Sequence, residues 1–503
     1  MELQVMLSFG LAETTLSIAA LLFLAPTTLA LYNLYLHPLR HYPGPAPFCA
    51  FRLRWVMAMQ SGDIHRILLD LHNKYGPIVR IAPNELSYID PQAVKDIYQN
   101  PRIHRAEVWF PPRPGEPFTI MSADEDAHAK YKKAFLGGFT EKAIREHSSL
   151  MEKYVELMIN KLIDTCTSSP RAAAVDIIDW LNMVTFDISG DLSFGSPFGS
   201  IQQGKAHPWV DISNQFGKGI ALMASLNFYP GLVKLLKYSM PRKAMQNLKY
   251  HKKLTTEKLA ERLETTADRK DFIQSILDHN ADSMVREKVK QVSRTEIEVN
   301  MPVVLFAGSE TTSSAIGSTL WYLLRNPKWL DRAQVEIRGA FSAEAQIIVS
   351  GLSRLEVLTA IISEGLRLGP PSVIGVPRIT GKGGDIVCGR FVPGGTMLAM
   401  SQYPAFRSAT NFRHPEAFDP GRFLASAKAR VSPIFRPFLV GRHVCIGERF
   451  AWAEMRLIIA RLLFSFDITL DEGSPSLTDW GEQKTFIFWQ KEPLRIKLKP
   501  RRA

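Results

Sequence analysis

Cysteine is scarce in this chain. Its 503 residues include only Cys49, Cys166, Cys388 and Cys445, far apart and forming no CxxC pair. That spacing argues against a disulfide framework or a structural zinc site and places the body of the chain in a reducing compartment. Repeats and low-complexity tracts are also lacking. Glycine and proline number 32 each but follow no period, which excludes a fibrous protein. No Gly-x-Gly-x-x-Gly fingerprint follows a strand, so no dinucleotide or flavin domain is expected. Zinc fingers, RNA-binding sheet signatures and basic zipper helices are missing too. The formal charge of +12 is therefore read as attraction to anionic lipid or to an acidic protein partner, with no nucleic acid; a well-solvated basic surface is the plainer alternative.

What is present suits a large folded body, with 46% hydrophobic and 22% charged residues. The one bilayer-scale apolar segment lies near the amino terminus. Residues 14–36 carry no charge, and a helix over 16–36 would rise about 31 Å, close to the ~30 Å hydrocarbon thickness. Only Glu2 and Glu13 precede it, and Arg40 follows, so the remainder is expected on the cytosolic side. A cleaved signal peptide is the competitor, but the segment lacks a basic start and runs longer than a signal core. Tyr42-Pro-Gly-Pro-Ala-Pro47 then reads as a stiff spacer. The expected organisation is a membrane anchor over 1–36, a proline-rich linker over 37–50 and a single domain over 51–503.

Within that domain helical periodicity dominates. It predicts helices over 64–75, 127–135, 144–166, 177–192, 242–265, 271–278, 297–324, 329–339, 354–368 and 448–464. Segment 297–324 is more apolar than a surface helix needs and is read as a buried central helix, not a second span. Strand character falls at 78–81, 85–89, 373–376, 387–388, 396–400 and 486–489. Residues 101–118 form a long loop of the kind usually tied to function. The expected fold class is mainly α with small β-sheets.

The segment Phe438-Leu-Val-Gly-Arg-His-Val-Cys-Ile-Gly447 carries the chemistry. A thiol ligates iron as thiolate, and Cys445 lies just before a predicted helix whose free N–H groups would favour that form. Gly441 and Gly447 would permit close approach of a flat macrocycle, and Phe438 would shield the proximal side. A lone cysteine is more often core; this composite is far more specific. Glu364-Gly-Leu-Arg367 places a Glu and an Arg on one helix face. Ala307-Gly-Ser-Glu-Thr-Thr312 puts Glu310 and Thr311 in an otherwise apolar helix, where Thr311 can instead bond back to the carbonyl four residues earlier and Glu310 reach a surface.

Together these segments closely resemble the cytochrome P450 superfamily over essentially the whole chain. The resemblance implies a P450 fold with haem b (iron protoporphyrin IX) between a long central helix and the cysteine loop. It implies Cys445 as axial ligand of the iron and a structural cluster of Glu364, Arg367 and Arg422, the last from Phe418-Asp-Pro-Gly-Arg422-Phe423. It implies Gly308 at the close approach of the distal helix, Thr311 bonding to dioxygen or an ordered water, and Glu310 supplying protons. Propionate partners would be His128 and Lys132, Arg378, and one of Arg442 and His443. Three departures stand out: His443 and Lys132 where Arg is usual, and Gly421 where Glu is usual. The segment from Asp187 to Gly199 resembles one found in fungal members that tailor secondary metabolites.

The activity implied is monooxygenation of a small lipophilic substrate, with one oxygen atom taken from O2. The pocket would be lined by 103–120, 216–229, Ala307, Thr311, 372–374 and 485–486. Electrons would come from a separate NADPH-cytochrome P450 reductase-like flavoprotein, with cytochrome b5 as a second donor. Arg436, Arg442 and Arg449 on the proximal face would meet the donor. The implied location is the endoplasmic reticulum membrane, single-pass, with the catalytic domain facing the cytosol. Alternatives that remain open are a desaturase, ring-forming oxidase or isomerase of the same type, and a non-catalytic membrane-tethered haem-binding or electron-carrier protein.

Overall fold

The first four backbone N–H groups of any α-helix lack partners within it, and the longest helix here meets that cost with a reciprocal cap. In the computed structural model, Ser293 Oγ accepts from the Glu296 N–H and a Glu296 carboxylate oxygen accepts from the Ser293 N–H at 2.7 Å. The structure describes residues 23–113, 115–168, 174–233, 242–265, 269–282, 290–427, 431–474 and 478–501. The capped helix, Arg294–Leu324, runs for 31 residues and is buried continuously from Thr312 to its end. It packs most extensively on Ile177–Phe194, then on Glu356–Leu368. Small residues make this possible: a Cβ on Gly317 would lie 2.8 Å from Ile178, and one on Gly365 2.1 Å from Thr319 Oγ1. The helix is therefore central, as its apolar content predicted.

Ten predicted helices are found within a few residues of their expected ends, among them Ile64–Tyr75, Glu125–Leu136, Glu141–Ser168 and Glu448–Ser465. Helices Arg52–Gln60, Gln92–Tyr98 and Pro208–Asn227 lie outside the predicted set. The predicted strand at 373–376 is absent. A Cβ on Gly375 would meet the Met400 carbonyl at 2.1 Å, and pairing starts only at Arg378–Thr380. The long loop does contain one short edge strand, Ile103–Arg105.

The main sheet has five strands in the order Ile78–Ala82, Glu85–Tyr88, Met397–Met400, Arg378–Thr380, Ile103–Arg105. Its parallel pairing joins Leu86 to Leu398 and Tyr88 to Met400. At the other edge the antiparallel register sets Arg105 opposite Arg378. A three-stranded sheet, Ala174–Asp176, Arg495–Pro500 and Phe466–Leu470, forms separately from it.

The proline-rich stretch is packed onto the body rather than held away from it. The Pro43 carbonyl accepts from the Arg80 N–H at 2.7 Å, a Cβ on Gly44 would strike the Arg80 carbonyl, and Ala46–Ala50 is helical with Phe48 and Cys49 buried. Of the expected anchor, residues 1–22 lie outside the described residues. Residues 23–36 are helical, and Asn33 docks them by donating to the Ala50 carbonyl at 2.8 Å. Among the described residues no helix is long and apolar enough to cross a membrane.

Candidate active site

The cysteine loop hangs from a buried charge cluster. Arg367 forms a two-pronged pair with Glu364, both bonds 2.7 Å and both side chains wholly buried. The remaining Arg367 donors reach the carbonyls of Phe406, Pro415 and Ala417 at 2.6–3.0 Å. Glu364 also accepts from the Asp419 N–H and, at 3.4 Å, from Arg422, which binds the carbonyls of Arg413 and His414. A buried guanidinium needs every donor satisfied; here the donors are used to fix the 406–422 segment that leads to the loop. Gly421 replaces the usual Glu without disturbing this, because the Gly421 N–H is taken by Asp419.

In the loop itself, the Cys445 N–H donates to the Phe438 carbonyl at 3.0 Å, and the Phe438 ring lies against Trp452, centroids 6.2 Å apart. Gly441 is required by its left-handed backbone, φ +80, and because a Cβ would meet the Tyr98 carbonyl at 2.0 Å. Close approach of a macrocycle is thus not what explains Gly441. Leu439 adopts a left-handed φ of +62 without glycine's freedom, a strain that the surrounding bonds sustain. Cys445 is accessible, yet its environment raises the thiol pKa. Desolvation by the protein that surrounds the sulfur on its closed sides is the main cause; the Gly447 N–H opposes it and the Glu448 carboxylate adds to it. The helix-end stabilisation expected of the thiolate is present but outweighed. A coordinated metal cation would deprotonate such a thiol outright.

One stripe of the central helix is open where its surroundings are closed: Ala307 is exposed, and Gly308 and Thr311 are partly so. The Thr311 hydroxyl donates to the Ala307 carbonyl at 2.6 Å, the back-bonded alternative. Its oxygen keeps lone pairs for a partner on the open side. Gly308 serves packing: a Cβ there would lie 2.7 Å from Ser189 Oγ. Glu310 does not stand beside Thr311, since successive helical residues point about 100° apart. It is buried and paired with Lys491 at 2.8 Å, and the same ammonium donates to Asn182 and Ser313. That pairing gives Glu310 a structural role in addition to the proton-supplying one that the resemblance implies.

A cluster of cations gathers near the cysteine loop, with the carboxylate of Glu125 beside it. Arg105 and Arg378 are cross-strand partners on one sheet face, where like charges repel. Arg378 is 3% exposed, and its Nη1 has no hydrogen-bond partner among the described residues; burial lowers its pKa. Arg105, which sequence reasoning missed, has its pKa lowered to about 10 by burial first and Arg378 second. The rings of His128 and His443 lie 4.3 Å apart. Burial, followed by neighbouring cations, pushes His128 down to about 4 and His443 to about 2. Lys132 donates to the Arg442 carbonyl at 2.8 Å. Arg442 turns outward to Glu125 at 3.1 Å and to the Pro101 carbonyl, so of the two candidates His443 is the inward one. An excess of buried donors of one sign fits an anionic group, as haem propionates are. Among the described residues no group of three or more His, Cys, Asp or Glu could hold a bare metal ion.

Comparison with known proteins shows the family. The family model described as Cytochrome P450 matches residues 43–498. The cytochrome P450 monooxygenase astJ of Aspergillus oryzae is 36% identical over 481 residues, covering 93% of this chain and 94% of the relative. An averantin hydroxylase of Dothistroma septosporum is 35% identical over 500 residues, covering 98% and 92%. Another averantin hydroxylase, from Aspergillus parasiticus, is 35% identical over 496 residues, covering 97% of both chains. The chain belongs to the cytochrome P450 family.

Proposed function

We propose that this P450 monooxygenase binds haem b through Cys445 and inserts one oxygen atom from O2 into a small lipophilic substrate of secondary metabolism. The observation that carries the reading is the accessible thiol of Cys445 beside a cation-rich cluster centred on Arg105 and Arg378. When bound, the haem would supply oxygen activation, with Cys445 as its thiolate ligand. The protein's own residues do the rest. Arg105, Arg378, His443, His128 and Lys132 would hold the propionates. The Thr311 hydroxyl, oriented by the Ala307 carbonyl, accepts or relays a hydrogen bond at the open stripe. Glu310 positions the central helix through Lys491. The names of the averantin hydroxylases favour hydroxylation over desaturation, ring formation or isomerisation.

Electrons come, in this reading, from an NADPH-linked flavoprotein reductase, with cytochrome b5 as an auxiliary donor. Exposed Arg436 suits docking best; Arg449 is exposed but paired loosely with Glu141 at 3.5 Å, and Arg442 is engaged more closely with Glu125 at 3.1 Å. Residues 1–36 form the single-pass anchor in the endoplasmic reticulum membrane, residues 37–50 the packed connection and 51–503 the cytosol-facing domain. Exposure of Phe23, Leu24, Tyr35 and Leu36 supports contact with lipid. The test is the reduced carbon monoxide spectrum of haem-loaded protein. It should show the red-shifted band of thiolate ligation, and Cys445→Ser should abolish it. A haem-loaded protein without that band overturns the proposal.

A further inference from the structure

A buried asparagine in the middle of a helix needs an explanation, because its amide competes with the helix for hydrogen bonds and is costly if unmatched. Asn300 is such a residue, 0% exposed in the amino-terminal half of the central helix. Its Oδ1 accepts from the Ile120 N–H at 2.6 Å, and its Nδ2 donates to the carbonyls of Phe118 at 3.3 Å and Glu296 at 2.8 Å. One side chain thus pairs with both a donor and an acceptor of the loop backbone, as a neighbouring strand would. One turn earlier, Glu296 takes Lys130 and the Tyr131 hydroxyl, which fixes the helix that follows the same loop.

The geometry links this contact to the reacting stripe. Ala307 and Thr311 stand seven and eleven residues beyond Asn300. At 3.6 residues per turn both return to within about 20° of its direction, and at 1.5 Å per residue they lie about 10 and 16 Å along the axis. The loop segment held by Asn300 therefore sits on the open face of the helix, one small-molecule length from Thr311. Its other tether is Arg105, whose Nη1 donates to the carbonyls of Ile120 and Met121. Phe118 and Ile120 are partly buried against the core, so the position of the backbone sets the position of two apolar side chains.

We infer that Asn300 is a specificity-determining positioning residue: a latch that fixes segment 118–121 as the far wall of the substrate site and so governs how substrates longer than about 10 Å are placed. The inference rests on the haem-thiolate reading for its functional arm, whereas its structural arm stands alone. The experiment uses the full-length protein with Asn300→Leu, Asn300→Ser and Asn300→Asp. Leucine and serine cannot span to the loop; aspartate keeps the acceptor for the Ile120 N–H. By amide hydrogen exchange, Ile120 should exchange about five- to tenfold faster in the Leu and Ser variants, with protection largely restored in Asp, while Leu398 in the sheet is unchanged. In holoenzyme, imidazole should bind within about twofold of wild type, whereas an imidazole bearing a biphenyl group should weaken by about fivefold or more in Leu and Ser. Should Asn300→Leu fail to fold, Asn300→Ser carries the comparison. Unchanged Ile120 exchange in Asn300→Ser, or parallel shifts of both azoles, overturns the latch. Failure of either azole to perturb a haem spectrum in wild type overturns the haem reading instead, and the exchange result still decides the latch.

Discussion

Replacing Lys491 by methionine should expose how much of the central helix is held by a single buried ion pair. The side chains of Lys491 and Glu310 are 4% and 8% exposed and meet at 2.8 Å. Removing one partner of a buried pair costs about 3–5 kcal/mol, because the other charge is left desolvated. The lost bonds to Asn182 and Ser313 add about 0.5–1.5 kcal/mol each, partly offset by burial of the methionine methyl. A net loss of about 4 kcal/mol is expected for Lys491→Met. Lys491→Met with Glu310→Leu should fall within about 1–2 kcal/mol of wild type, since apolar replacement of a buried pair is often neutral. The double change should therefore cost at least about 2 kcal/mol less than the sum of the two single changes. Urea unfolding of the full-length protein in detergent, followed by tryptophan fluorescence, measures all four corners of the cycle. If Lys491→Met costs less than about 1 kcal/mol, or the two changes simply add, Glu310 is not tied as described and its assignment to positioning fails.

Other sites make further demands. Arg378→Met should leave the haem-free protein as stable as wild type or more stable by up to about 1 kcal/mol, by relieving its opposition to Arg105, yet loosen haem retention; equal destabilisation of both forms would contradict an anion site. Thr311→Ala should keep the thiolate spectrum while a larger share of the electrons drawn from NADPH ends as peroxide or water; unchanged product per NADPH would remove Thr311 from the relay. His72 is buried between the Gly76 carbonyl and the Ser87 hydroxyl, and burial lowers its pKa from 6.5 to about 4. The unfolded chain takes up that proton below pH 6.5 and the folded chain does not, so stability falls with acid between pH 6.5 and 4, by on the order of 3 kcal/mol. His72→Gln should flatten that limb of the stability–pH curve; an unchanged limb argues against a neutral buried ring. Charge reversal at Arg436 and Arg449 should slow electron transfer from the reductase in a salt-dependent way, and rates that stay constant exclude that face.

Local spacing makes parts of this site legible. Glu364 and Arg367 are three apart on one helix, and Cys445 lies in a dense composite of glycine, aromatic and basic residues, so both can be read directly. Arg105 cannot, because its meaning comes from the register that sets it against Arg378 from 273 positions away (378 minus 105). The sequence hint is slight, since Arg105 is one of several basic residues in a proline-rich loop. Lys491 is equally silent, a lone cation after a short hairpin. Glu310 and Thr311 read as partners because they are adjacent in sequence, but helical geometry turns adjacent side chains to different faces. Helix Pro208–Asn227 escapes because glycines at 217 and 219 blur its pattern. A Cβ on Gly217 would meet the Phe486 carbonyl at 2.8 Å, a tertiary reason invisible in one dimension. The apolar run at 373–376 suggests a strand because burial alone mimics one.

The parallel pairing of Glu85–Tyr88 with Met397–Met400 has a consequence in time. From Tyr88 to Met397 the chain advances 309 positions (397 minus 88), and at 5–20 residues per second a ribosome needs about 15–60 s to make that span. Throughout that interval the earlier strand has only its hairpin partner, and its outer edge of N–H and C=O groups is unanswered. A nascent chain in this state is open to pairing with other chains, so expression yield should respond to translation speed and to chaperones that cover strand edges, even for variants whose finished form is fully stable.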